Sequence, residues 1–132
     1  PNIMFNLKVL NTGTVDLAAG RLTVRYWFTR DGGTSPLTAQ CDYAEIGCSK
    51  FLTSFGTAEP PKPTADRYLT VRFNSVLEAG QNSGQIHLRV HKADFSPFNE
   101  SNDYSRSTNS SLASSMKLTA YLDGQLIWGT PP

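Results

Sequence analysis

The chain has 132 residues and a formal net charge of +1, enough for one domain around a single core and too even a charge balance to track phosphates. Charged residues are 17% and hydrophobic ones 39%, which excludes a disordered chain and describes a polar, weakly charged surface of the kind extracellular β-proteins carry. No apolar run approaches the roughly 20 residues that span a bilayer, so neither nucleic acid nor a membrane is expected as a partner. The opening Pro1-Asn2 does not read as an export signal, so any such signal is expected upstream of it or already removed.

In chain order, Phe5, Leu7 and Val9 alternate with Asn6 and Lys8 and predict a half-buried strand, ended by Asn11-Thr12-Gly13. Leu22, Val24, Tyr26 and Phe28 alternate with Thr23, Arg25, Trp27 and Thr29, a strand with aromatics on both faces, broken by Asp31-Gly32-Gly33. The stretch Glu59-Pro60-Pro61-Lys62-Pro63 reads as loop. Further strands are predicted over Leu69, Val71 and Phe73, over Ile86, Leu88 and Val90, and over Met116, Leu118, Ala120 and Leu122. Asp123-Gly124 then turns the chain into a return strand from Leu126 to Trp128. No window has helical period and no linker divides the chain, so residues 1–132 form a single all-β domain, an antiparallel sandwich or barrel. Thr130-Pro131-Pro132 resembles the start of a Pro/Thr linker.

Cys41 and Cys48 are the only cysteines. No zinc-site spacing accompanies them. Two readings stand: a pair of reduced, buried thiols, or a local disulfide that shapes the loop from Asp42 to Gly47.

Catalytic motifs are missing: there is no Gly-x-Ser-x-Gly and no glycine-rich phosphate loop after a strand. His87 and His91 share a strand, where about 13 Å separates them at roughly 3.3 Å per residue, too far for one metal ion. The segment Gln85–Ser105 carries more. Its strand points His87, Arg89 and His91 outward together. Its loop offers one large aromatic, Phe95, and then the oxygen donors Asn99, Asn102 and Asp103, which join Thr29 and Asp31 as a mixed set suited to calcium. The same residues are also what turns are made of. Tyr43, beside Asp42, is a second exposed aromatic in the cysteine loop. Flat rings at the surface gain by stacking on the C–H face of a sugar, or they fold back over the core edge.

Four segments resemble one known family: Arg25-Tyr26-Trp27-Phe28-Thr29, the stretch Cys41–Cys48, Ser101–Ser105, and Tyr121–Gly129. They are similar, in order and over nearly the whole chain, to the family 3 carbohydrate-binding modules of bacterial cellulases and cellulosomal scaffoldins, most of all to the 3b subgroup in the short Cys48–Phe51 loop and the cysteine pair. The resemblance implies a nine-stranded jelly-roll β-sandwich, with the family's first strand missing before Ile3, and a secreted, extracellular bacterial setting. It implies a structural calcium on Thr29, Asp31, Asn99, Asn102 and Asp103. It implies a non-catalytic strip for cellulose, in its crystalline form, built from Asp42, Tyr43, Arg89 and Phe95, with His87 and Ser110 as flanking polar anchors. Tyr43 and Phe95 would stack on successive glucose rings. The implied partners are cellulose and an attached glycoside hydrolase or scaffoldin. In the alternative the module does not bind cellulose but docks on a neighbouring catalytic domain or linker peptide through an opposite groove lined by Arg25, Trp27 and Tyr121.

Overall fold

The computed structural model describes residues 2–108 and 111–132. Among them are eight strands: β1 (Asn2–Leu7), β2 (Leu22–Phe28), β3 (Leu37–Ala44), β4 (Phe51–Lys62), β5 (Ala65–Phe73), β6 (Ile86–Lys92), β7 (Thr119–Leu122) and β8 (Gln125–Trp128). They form two antiparallel sheets, one ordered β1-β6-β3 and the other β4-β5-β2-β7-β8. Among the described residues, helical structure is limited to two three-residue 3-10 turns, Cys48–Lys50 and Glu100–Asn102.

The sheets pack face to face because each strand's alternation feeds one face into a shared core. Ile3 and Leu7 of β1 with Ile86, Leu88 and Val90 of β6 meet Leu22, Val24, Tyr26 and Phe28 of β2 and Leu69, Val71 and Phe73 of β5. Phe28, Leu69, Ile86 and Val90 have no exposed surface. Truncating such a residue to alanine costs about 3–5 kcal/mol through lost transfer energy and the cavity left behind. The rings of Phe5 and Tyr26 stack across the layers, centroids 3.9 Å apart.

The fold is the expected antiparallel sandwich, with three local departures. Two strands were not legible. β3 alternates weakly, through Ala39 and Cys41, and carries a bulge between Cys41 and Tyr43. β4 includes Pro60 and Pro61, which the sequence assigns to loop. An edge strand tolerates them because no outer neighbour needs their missing N–H, and its pairing with β5 is irregular between Thr57 and Lys62. The third departure is at β7, which begins at Thr119, so Met116 and Leu118 precede the strand.

Candidate carbohydrate-binding face

The outward face of the three-stranded sheet follows from β6. Its inward residues are buried, while His87, Arg89 and His91 are half-buried on the other side. Register sets Tyr43 opposite His87 on β3, and Asn6, Met4 and Asn2 of β1 opposite His87, Arg89 and His91. The β3 bulge lets Asp42 and Tyr43 both face solvent, where a regular strand would send neighbours to opposite sides. The two residues therefore stand on a strand, not in the loop the sequence suggests.

Three contacts run in a row along β6. Tyr43 meets His87 edge to face, centroids 5.4 Å apart. The Arg89 guanidinium donates from Nη2 to Asp42 Oδ1 at 2.8 Å and from Nε to Oδ2 at 3.2 Å. This hydrogen bonding, and then the Asp42 charge, raises the Arg89 pKa above its already high ordinary value. His91 and Phe95 stack, centroids 4.7 Å apart with planes 17° from parallel. Tyr43 is 51% and Phe95 60% exposed.

Phe95 is held from both directions along the chain. Its N–H donates to Lys92 O at 2.9 Å, and Ala93 N–H donates to Pro36 O at 2.8 Å. Asp94 N–H donates to Ser35 Oγ, while Asp94 Oδ1 accepts from Ser96 N and Oγ at 3.0 and 2.7 Å. The bonds from Ser96 hold the Asp94 carboxyl below its ordinary pKa. Phe95 itself has φ 55°, a left-handed conformation that costs a residue with a Cβ roughly 1–2 kcal/mol.

The oxygen donors gather at the end of β2. Thr29 Oγ1 lies 2.9 Å from Asp31 Oδ1, 2.6 Å from Asn102 Oδ1 and 3.2 Å from Asp103 Oδ1. One hydroxyl proton serves one acceptor at a time, and Asn102 Nδ2 donates to Asp31 Oδ1 at 3.0 Å. Asp103 is 6% exposed; its Oδ1 accepts from Thr29 N–H at 2.9 Å, and its buried Oδ2 has no hydrogen-bond partner. Burial pushes its carboxyl up to about 6. Asn99 joins through its backbone, donating N–H to Asp31 Oδ2 at 2.6 Å, while its side-chain oxygen accepts from Ser101. Among the described residues no group of three or more His, Cys, Asp and Glu side chains could hold a metal; the donors here are two carboxylates with neutral oxygens, a hard-cation set.

The structure links Cys41 of β3 to Cys48 by a disulfide, Cα atoms 6.0 Å apart. Ser110 lies outside the described residues. On the opposite sheet Arg25 lies over the rings of Tyr68 and Tyr121, at 4.1 and 4.5 Å. Trp27, expected outward with Arg25, is only 6% exposed, packed with Ala58 and Ala65 and flanked by Tyr68 and Tyr104. It is therefore not a groove-lining ring. Two surface concavities, of about 280 and 260 Å³, are lined by other residues, Phe73 and Glu78 in one and Arg30 and Phe55 in the other.

Sequence reasoning left His91 without a role, and it did not find the outward Asn2, Met4 and Asn6. The histidine's position opposite the turn, four residues before Phe95, was the available signal.

A β-sandwich that carries a solvent-facing row of rings and a charged fork on one sheet has the form of a carbohydrate-binding module. The chain belongs to the family whose model, described as a cellulose binding domain (CBM_3), matches residues 1–129. It is 38% identical over 130 residues to beta-mannanase/endoglucanase A of Caldicellulosiruptor saccharolyticus, a match that covers 96% of this chain and 10% of that protein. It is 37% identical to cellulosomal-scaffolding protein B of Acetivibrio thermocellus, over 95% of this chain and 17% of that protein. Among solved structures, it superposes with TM-score 0.92 and 30% identity on biomass sensing modules of RsgI-like proteins from Clostridium thermocellum, covering 99% of this chain and 88% of theirs. The corresponding figures are 0.89 and 34% for the family 3b module of the cellulosomal cellobiohydrolase 9A from the same organism, again with 99% and 88% coverage.

Proposed function

We propose that this module binds cellulose, at its crystalline surface, through the row Tyr43–His87, Asp42–Arg89 and His91–Phe95. The observation that carries the reading is the row itself: two exposed rings with a charged fork between them, on the outward face of one sheet. Each exposed ring would cover the C–H face of a pyranose, worth around 1 kcal/mol when well packed. The fork would hydrogen-bond ring hydroxyls at the edge. Tyr43 and Phe95 would stack on successive glucose rings along one chain.

The role is to concentrate an attached glycoside hydrolase or scaffoldin on an insoluble extracellular substrate. The endoglucanase and scaffolding relatives support that setting. Calcium is proposed at Thr29, Asp31, Asn102 and Asp103, with the Asn99 backbone beside them. The orphaned Asp103 Oδ2 and the mix of carboxylate and neutral oxygens around Thr29 support it. The ion would tie the Asn99–Asp103 segment to the end of β2 and supply no chemistry to the strip.

A pull-down on microcrystalline cellulose tests the assignment. Wild-type protein is expected in the pellet, with Phe95→Ala and Tyr43→Ala largely in the supernatant; equal retention of all three overturns it. Retention of none, with binding to a Pro/Thr peptide or a catalytic domain, would favour the docking alternative.

A further inference from the structure

We propose that His91 is a positioning residue of the binding face, its imidazole stacked on Phe95 so that the phenyl plane is held open to a sugar ring. This rests on the cellulose reading of that face.

The Phe95 backbone is fixed by the turn bonds to Lys92 and by the Asp94–Ser96 pair. Backbone bonds do not fix the ring, which can still change rotamer about Cα–Cβ. A free phenyl at a surface tip would lose side-chain entropy on every binding event. His91 removes that freedom: the two rings lie 4.7 Å apart and 17° from parallel. The geometry leaves the other face of Phe95 outward, consistent with its 60% exposure. The cross-strand neighbours of His91 are Asn2 on β1 and Thr38 on β3. Neither has a ring that could take its place.

The imidazole's polar atoms do not account for its position. His91 Nδ1 is buried and has no hydrogen-bond partner, so what the side chain contributes here is a flat ring of the right height. The four-residue spacing matters too. His91 is the last outward residue of β6 before the chain turns, and the turn carries Phe95 back over it. Phe95 thus covers the outward face at the His91 end of β6.

The test compares wild type, His91→Ala, His91→Phe, Phe95→Ala and the double variant His91→Ala/Phe95→Ala by adsorption isotherms on microcrystalline cellulose. Proton NMR of the Phe95 Hα–Hβ couplings is recorded without cellulose. His91→Ala is expected to weaken binding by about two- to tenfold and to turn the single-rotamer couplings of Phe95 into averaged ones. His91→Phe is expected to restore both. The double variant is expected to bind no more weakly than Phe95→Ala, since His91 acts through that ring. His91→Ala binding as wild type does, or a double variant weaker than Phe95→Ala, overturns the proposal. If wild type itself does not adsorb, the cellulose reading fails. The Phe95 Hα–Hβ couplings then still decide the matter: single-rotamer couplings that persist in His91→Ala overturn the positioning role, and averaged ones uphold it.

Discussion

Arg89 and Asp42 form a two-pronged pair across β3 and β6, with donor–acceptor distances of 2.8 and 3.2 Å, although the strand register sets Arg89 opposite Gln40. The bulge after Cys41 is what brings the acid alongside. A carboxylate in this geometry holds the guanidinium flat against the sheet. Asp42→Asn should therefore reduce cellulose affinity by roughly two- to tenfold while leaving the melting temperature nearly unchanged, because exposed pairs contribute little to stability. The surface pair Arg21–Asp123 serves as control: Asp123→Asn should leave the isotherm where it was. Equal isotherms for both variants would remove the fork from the binding face.

The disulfide closes the short loop between β3 and the Cys48–Lys50 turn. In the chain-entropy picture, closing so short a loop stabilises by roughly 2–3 kcal/mol. Replacing both cysteines by serine should lower the melting temperature by on the order of 10 °C. A reducing agent should reproduce the loss in wild type. A melting curve insensitive to both treatments would contradict the linkage.

Calcium should raise the melting temperature and a chelator lower it, by an amount that follows mass action: about 2.7 kcal/mol of stabilisation when free ion is a hundred times its dissociation constant. Thr29→Val and Asp103→Ala should each abolish the calcium response. Magnesium should substitute poorly, because it demands a smaller, near-ideal octahedron. Thermal melts in calcium, magnesium and chelator decide this, and identical curves in calcium and chelator would refute the site.

Gly56 stands opposite Tyr68 in the β4–β5 register. A Cβ added there would lie 2.2 Å from Tyr68 Cζ. Gly56→Ala must therefore push Tyr68 off Arg25 and away from Trp27, whose ring centroid is 4.8 Å from it. An overpacking cost of about 1–3 kcal/mol is expected in chemical denaturation. Cellulose binding, on the other sheet, should persist. Loss of binding in a folded Gly56→Ala variant would mean that the two faces are coupled.

The strands that alternate strongly, such as Leu22–Phe28 and Ile86–Lys92, were legible because each packs one large apolar face. β3 was not, since Ala39 and Cys41 are small and the bulge interrupts the period. β4 was hidden by Pro60 and Pro61, residues that only an edge position excuses. Within the site, residue type and the family resemblance were enough to pick out Asp42, Tyr43, Arg89 and Phe95. The histidines were not legible as ring partners. His87 meets Tyr43 only through strand pairing, and His91 meets Phe95 only because the turn at Asp94 folds the chain back. Trp27 misled for a related reason. Alternation correctly gave its side of the sheet, but the Tyr104 segment and Tyr68 then cover it.

The bulge at Asp42 has a genetic corollary. Cys41 and Ala44 both keep their inward places around it, so the extra residue adds a side chain to the outer surface without altering what the core receives. Loss of that single codon would leave a regular strand with Tyr43 still opposite His87, and would delete only the acid. An in-frame deletion here would thus prune the ligand face and spare the fold, whereas the same loss one step earlier or later would take Cys41 or Tyr43 with it.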